Sequence, residues 1–367
     1  MNNFKNYKFK ENIIIKNRFV LAPMTTYSGN PDLTLSDEEE KYYQARGKEF
    51  GMVITAATAV SKQAQAFENQ ISIMNDDYIP SMARLAKSIK LGGALAILQL
   101  HHGGRMNYPG LFEGQDIVSA SAIKAERDYL LKPRALTNDE VYGIIDDFRQ
   151  AMIRAIKAGF DGIELHGANT YLIQQFFSPH SNRRTDEFGG SLEKRMTFPL
   201  ALVDMAIQTR KDYANDDFII GYRLSPEEYE NPGINLDDTK VLVRNLSMKN
   251  IDYIHFSLGN YKQSSIRDEI NKKPIIEILK KENLGHKKLI GVGEIDNLDK
   301  ANHAINLGFD LLAIGLQALA DENVVSHIIN NHPVKKVFDK NSILPSNLYE
   351  RVKRWRNLSD RGFSFDQ

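Results

Sequence analysis

Eight short apolar runs, each followed by a stretch of helical periodicity, take up most of this 367-residue chain. The runs are Phe19–Pro23, Met52–Ala57, Leu95–Leu100, Gly162–Leu165, Phe218–Leu224, Tyr253–Ser257, Leu289–Val292 and Leu311–Ile314. Nearly continuous Ile, Val and Leu, without polar alternation, is the pattern of strands covered on both faces. Between them the spacing predicts helices over Ser36–Lys48, Pro80–Leu91, Asn138–Ala158, Leu192–Lys211, Leu236–Met248, Pro274–Glu282, Leu298–Leu307 and Asn323–Asn330. Ser36-Asp37-Glu38-Glu39 places a cap and negative charge at a helix start, while Gly92, Gly159 and Gly308 stand where helices should stop. The eightfold alternation predicts an α/β chain folded as a (βα)8 barrel. A doubly wound sheet would carry a glycine-rich dinucleotide turn after its first strand; Leu21-Ala22-Pro23-Met24 opens a loop there instead.

Three segments fall outside the alternation. Tyr7–Ile15 reads as a short N-terminal hairpin capping the lower mouth of the barrel. His102–Leu136 is a long loop after the third strand, with Tyr108, Phe112 and Tyr129 set in polar sequence, and a loop of that length in a compact barrel is usually functional. The expected division is a barrel over residues 1–333, its core at about 16–330, and an extension over 334–367 that packs on the barrel or on a partner subunit.

Lysine plus arginine (47) equals aspartate plus glutamate (47), so no global field recommends nucleic acid or an anionic membrane as partner. The absence of cysteine excludes a disulfide framework, thiolate metal sites, cysteine-ligated iron–sulfur clusters and a cysteine nucleophile. No apolar run approaches the roughly 18–20 residues that span a bilayer, and Met1–Lys5 lacks the apolar core of a signal peptide. A cytoplasmic location is the expectation.

Barrel chemistry sits at the carboxyl ends of the strands. Those ends carry Pro23-Met24-Thr25-Thr26-Tyr27, Ala57-Thr58, Gln99-Leu100-His101-His102, His166 with Asn169 and Tyr171, Arg223, Gly293-Glu294 and Gly315-Leu316. The fourth end is the densest: His166-Gly167-Ala168-Asn169-Thr170-Tyr171 runs on through Gln174-Gln175 to Asn182, Arg184, Asp186 and Gly189-Gly190-Ser191. Two neutral hydrogen-bond donors beside a phenolic acid suit a carbonyl that is gripped while its neighbouring carbon is reduced. Asn182, Arg184 and Asp186 read as a network bracing the loop.

This stretch resembles the signature of the old yellow enzyme family, the FMN-dependent ene-reductases, and the likeness extends from Lys16 to about Asp321. The resemblance implies bound FMN, with NADPH or NADH as reductant. It also implies a small electron-poor alkene (an enone, enal or nitroalkene) as acceptor. His166 and Asn169 would bind the acceptor oxygen, Tyr171 would donate the proton, and Tyr27 would line the same pocket. Pro23, Met24, Thr25, Ala57, Gln99, Arg223, Gly293, Glu294, Gly315 and Leu316 would surround the cofactor. Thr25 would lie near flavin O4 and N5, Gln99 at the pyrimidine edge, and Arg223 near N1 and O2, where a cation favours the reduced ring. The backbone at Gly293 and Gly315 would hold the phosphate. Family members are often homodimers.

The chain departs from the pattern at Leu316, where the family usually carries an arginine that clamps the phosphate. Three other readings stand beside the main one. A dienoyl-thioester-type flavin reductase has a similar barrel, but its branch carries cysteines and a further nucleotide domain. A metal-dependent barrel hydrolase would use His101 or His102 with His166, and a non-catalytic flavin-binding protein is suggested by Leu316.

Overall fold

In the computed structural model, residues 4–108, 110–111, 116–355 and 357–366 are described; Phe112 lies outside them. Eight parallel strands close on themselves: Phe19–Leu21, Met52–Ile54, Leu95–His101, Gly162–Gly167, Ile219–Leu224, Tyr253–Phe256, Lys288–Val292 and Leu311–Ile314. These are barrel strands one to eight. Closure is direct, since strand one pairs with both strand two and strand eight, and strand two pairs with strand three. The expected (βα)8 barrel is the observed fold.

Two predicted elements differ from the observed ones for local reasons. Strand two ends at Ile54 instead of Ala57, because the Thr55 hydroxyl takes the Gln99 backbone N–H at 3.1 Å and interrupts the ladder. Thr58–Ala59 then pairs separately with the end of strand three. The helix expected over Leu192–Lys211 is two pieces, Leu192–Arg195 and Thr197–Tyr213. Pro199 has no N–H to return to the turn before it, so the two pieces meet at Met196.

The hairpin is Lys5–Lys10 against Ile13–Asn17, antiparallel. It lies at the amino ends of the strands: Phe4 packs on Phe19 with ring centroids 5.3 Å apart, and the Tyr7 hydroxyl donates to Asp310 at 2.9 Å. Lys10 pairs at 2.7 Å with Asp252, which Arg210 also holds at 3.0 Å. Burial of Phe4, Phe9 and Ile15 contributes about 1.5–3 kcal/mol each.

Inside the barrel, register decides which side chains share a layer. Gln99 stands opposite Glu164, and Arg223 stands opposite both His166 and His255. Gly221 must lack a side chain, because a Cβ there would meet the Tyr253 ring at 2.0 Å. The segment after Pro333 folds back on the barrel. Its helix Ser346–Val352 buries Leu348, Tyr349 and Val352, and Val337–Phe338 pairs with Ser364–Phe365.

Candidate active site

The loop after strand four begins with two residues in left-handed backbone, Asn169 (φ 57°) and Thr170 (φ 67°). Non-glycine residues hold that conformation only when their surroundings insist on it. Here Gln174 accepts the Thr170 N–H at 3.0 Å, and Gln175 donates to the Thr170 carbonyl at 2.7 Å. The Gln175 oxygen is itself held by the Arg105 N–H and the Ser119 hydroxyl at 3.0 and 2.9 Å. The glutamines of the motif are therefore braces for the turn that presents Asn169 and Tyr171. Further on, Asn182 donates to the carbonyls of Phe176 and Phe188, and Arg184 reaches Asp186 and Asn138. Those residues stiffen the loop and do not enter the cavity.

Tyr171 sits in an aromatic nest, 5.0 Å from His166, 4.4 Å from His101 and 5.9 Å from Phe67 between ring centroids. Burial pushes its phenol well above the usual value. Tyr27 adds to that rise, while Arg127 and Arg223 oppose it. It is an acid that keeps its proton. Burial likewise holds the His166 imidazole far below its ordinary value, helped by Arg223, His101 and His255, so the ring is neutral. His101 is pushed down to about 3 by burial. Gln70 donates to its Nδ1 at 3.1 Å and to the Ala57 carbonyl at 2.8 Å, tying the end of strand two to the nest.

Asn169 has its side-chain oxygen occupied. The Ser257 hydroxyl donates to it at 2.8 Å and accepts from Arg223 Nη2 at 3.2 Å. The Asn169 NH2 group is thereby left as the group free to donate. Sequence reasoning named no polar residue at the end of strand six, so it missed Ser257. The signal is in the sequence: the sixth apolar run itself ends on this polar residue.

Beneath this layer, Glu164 is fully buried between the Gln99 amide at 2.7 Å and His255 Nδ1 at 2.9 Å. Burial alone would raise its carboxyl. The His255 contact, the Arg223 charge and the Gln99 hydrogen bond outweigh that and hold it below the ordinary range. Burial keeps His255 neutral, so Arg223 is the counter-charge for Glu164. A buried carboxylate and guanidinium balance one another only when both are also hydrogen-bonded. Arg223 Nε, His166 Nδ1 and His101 Nε2 are buried without a protein partner. Polar groups of this kind at strand ends fit the carbonyl and nitrogen edges of a flavin.

Pro23, Met24 and Thr25 are half-buried after strand one, and Met24 packs beside Gly315, where a Cβ would lie 3.4 Å from its sulfur. Gly293 (φ 110°) and Glu294 (φ 58°) form a tight turn after strand seven, with the Glu294 carboxylate held by Asn260. A Cβ at Gly293 would strike the Gly259 carbonyl at 2.6 Å.

Two cavities divide these residues. One of about 540 Å³ is bounded by Tyr27, Phe67, Tyr171 and the long loop after strand three, and Arg351 of the C-terminal extension closes it. The other, of about 220 Å³, holds Glu294, Asp296, Asp360 and Gln317 together with Lys300, Lys336 and Arg361, and Asp296 already pairs with Lys300 at 2.7 Å and Lys336 at 3.2 Å. Tyr27 (φ 56°) thus shares a pocket with Tyr171, whereas the turns after strands seven and eight face a separate recess. Among the described residues, no group of three or more His, Asp or Glu side chains could hold a metal ion. The hydrolase reading loses its ligand set, since His101 and His166 have no acid beside them. No helix among the described residues is long and apolar enough to cross a membrane.

Comparison with known proteins agrees with this geometry. The chain is 43% identical over 321 residues to the probable NADH-dependent flavin oxidoreductase YqiG of Bacillus subtilis (strain 168), covering 87% of this chain and 86% of that one. It is 45% identical over 309 residues to NADH:fumarate oxidoreductase of Klebsiella pneumoniae (strain 342), covering 83% of this chain but only 33% of that protein. The chain therefore spans about a third of that relative's length. A morphinone reductase variant in complex with tetrahydroNAD superposes with a TM-score of 0.78 at 27% identity, covering 91% of this chain and 92% of the other. Residues 3–335 match the NADH:flavin oxidoreductase / NADH oxidase family, the old yellow enzymes, and the chain belongs to it.

Proposed function

We propose that this chain is an FMN-dependent NAD(P)H oxidoreductase that reduces C=C bonds conjugated to a carbonyl or nitro group. The observation that carries the reading is the end of strand four and its loop, which bring a neutral imidazole, an oriented amide donor and a protonated phenol together, the imidazole 5.0 Å from the phenol ring and the phenol lining the larger cavity. His166 and Asn169 would grip the acceptor oxygen and stabilise the charge that develops on it. Tyr171 would deliver its proton to one alkene carbon, and Tyr27 would wall the pocket. Bound FMN supplies the hydride, taken from reduced nicotinamide. Arg223, fixed by Ser257 and balanced by Glu164, would face the flavin's N1–O2 edge, with Gln99 and Thr25 nearby. Pro23, Met24 and Ala57 would line the ring.

For the phosphate, the turns at Gly293–Glu294 and Gly315–Leu316 adjoin the recess that holds Lys336 and Arg361. Those cations would take the part of the arginine that Leu316 replaces, with Lys336 shared between the phosphate and Asp296, its present partner at 3.2 Å. Two relatives are named for fumarate and acrylate, alkenes conjugated to a carboxylate. The match covers one third of the fumarate enzyme, which favours a second reading in which the reduced flavin passes its electrons to a further redox centre, in the same polypeptide or another.

The test is anaerobic mixing of FMN-loaded protein with NADH or NADPH, followed by 2-cyclohexenone or a nitroalkene. Flavin bleaching and then recovery by the alkene is the expected course. Bleaching with recovery only by a dye acceptor would favour the second reading, and failure to hold FMN would remove both.

A further inference from the structure

The larger cavity carries more positive charge than a neutral enone requires. Arg127, Arg351 and Arg354 all border it, and among the described residues Glu68 is its single acidic neighbour. Arg351 is already engaged: it pairs with Glu68 at 2.7 Å and lies 3.7 Å above the Tyr27 ring. Its charge is answered and its position fixed, so it acts as a wall. Arg127 and Arg354 form no ion pair among the described residues, and Arg127 is steadied only by the Tyr129 hydroxyl at 3.3 Å. Two guanidinium groups with no ion pair among the described residues therefore flank a pocket whose inner end is Tyr171.

The arginines come from opposite sides, Arg127 from the loop after strand three and Arg354 from just beyond the C-terminal helix Ser346–Val352. Neither is needed to hold its own segment. The helix is anchored by Leu348, Tyr349 and Val352, and the loop by Val118, Ala120 and Leu130, all buried. Like charges brought to one concave surface cost energy unless an anion joins them, and low-dielectric walls strengthen that attraction. Guanidinium groups present fork-like donors that match carboxylate and phosphate oxygens.

We infer that Arg127 and Arg354 form an anion subsite at the outer end of the substrate cavity, which selects ligands carrying a carboxylate or phosphate remote from the reacting carbons. This rests on the proposed function and refines its substrate class to anion-bearing acceptors or the phosphates of the nicotinamide reductant.

The experiment uses FMN-loaded protein with two matched pairs of ligands. The first is 7-oxo-5-octenoate, whose carboxylate is separated from the alkene by a saturated spacer, against its methyl ester as acceptor. The second is NADPH against the uncharged reductant 1-benzyl-1,4-dihydronicotinamide in the flavin-reduction step. Wild type is expected to prefer the charged member of at least one pair by tenfold or more in kcat/KM. Arg127→Ala with Arg354→Ala should cut that ratio at least tenfold, mainly through KM, Arg354→Lys should keep part of it, and Arg354→Glu should reverse it. Loss confined to the first pair assigns the subsite to the acceptor, and loss confined to the second assigns it to the nucleotide. Reduction of the ester with no charge preference in either pair would overturn the inference and leave the proposed function standing. Failure to reduce either acceptor would instead strike the proposed function.

Discussion

The Ser257 hydroxyl donates to the Asn169 side-chain oxygen across 2.8 Å, so the residue after strand six fixes the orientation of the amide in the strand-four loop and leaves its NH2 group free. Removing that hydroxyl leaves Asn169 free to turn its acceptor inward, at a cost of about 1 kcal/mol, or roughly fivefold. Ser257→Ala should weaken phenol binding to the FMN-loaded protein and lower acceptor kcat/KM by that factor. Ser257→Thr, which restores the hydroxyl, should recover most of it. A variant with unaltered phenol affinity would show that Ser257 does not position the amide.

Tyr171 is half-buried against three rings, and its pKa is raised by desolvation and by Tyr27. Tyr171→Phe should slow alkene reduction on the order of 10²-fold, while flavin reduction by nicotinamide continues nearly unchanged. Because the phenol is raised, its protonated form persists, and the alkene step should show no decline on its account up to pH 10. Stopped-flow traces of the two half-reactions decide the matter. An equal loss in both would exclude a proton-donor role.

Glu39 is buried beside the Thr26 hydroxyl, and burial lifts its carboxyl to about 7 despite hydrogen bonds that pull it down. The folded state therefore binds this proton more tightly than the unfolded chain. That contribution to stability is full below about pH 4.5 and fades as pH rises through 7. A shift of this size corresponds to roughly 3 kcal/mol. Urea titrations of wild type and Glu39→Gln should show wild type losing ground to the variant between pH 5 and 8. Parallel curves across that range would rule out the buried protonated acid.

Lys336 and Arg361 share a recess with Glu294 and Gln317. If they oppose the cofactor's phosphate, Lys336→Ala with Arg361→Ala should weaken FMN binding tenfold or more while riboflavin, which lacks the phosphate, binds as before. Fluorescence titration of the apoprotein with each flavin reads this directly. Equal losses for both flavins would point to a folding defect instead.

The barrel was legible because doubly covered parallel strands must be continuously apolar, and eight such runs leave few closed arrangements. The strand-four cluster was legible because His166, Asn169 and Tyr171 lie within six residues of one another. What escaped was most of what is assembled across strands. His255 is an ordinary residue inside an apolar run until the register places it against Arg223, and Gln99 meets Glu164 only through the register. Arg354 lies 183 positions from Tyr171 and reaches the cavity only through the folded-back extension. Strand two was read three residues too long because composition does not reveal that the Thr55 hydroxyl replaces a ladder bond.

The stacking of Arg351 on Tyr27 joins a late part of the polypeptide to an early one. During synthesis all eight barrel strands emerge before Arg351 does, so the barrel can close around a pocket that still lacks a wall. A nonsense mutation between about residue 340 and Arg351 would spare the strands and expose the Tyr27 face to bulk water. Such a truncated product could keep its shape while losing discrimination among acceptors.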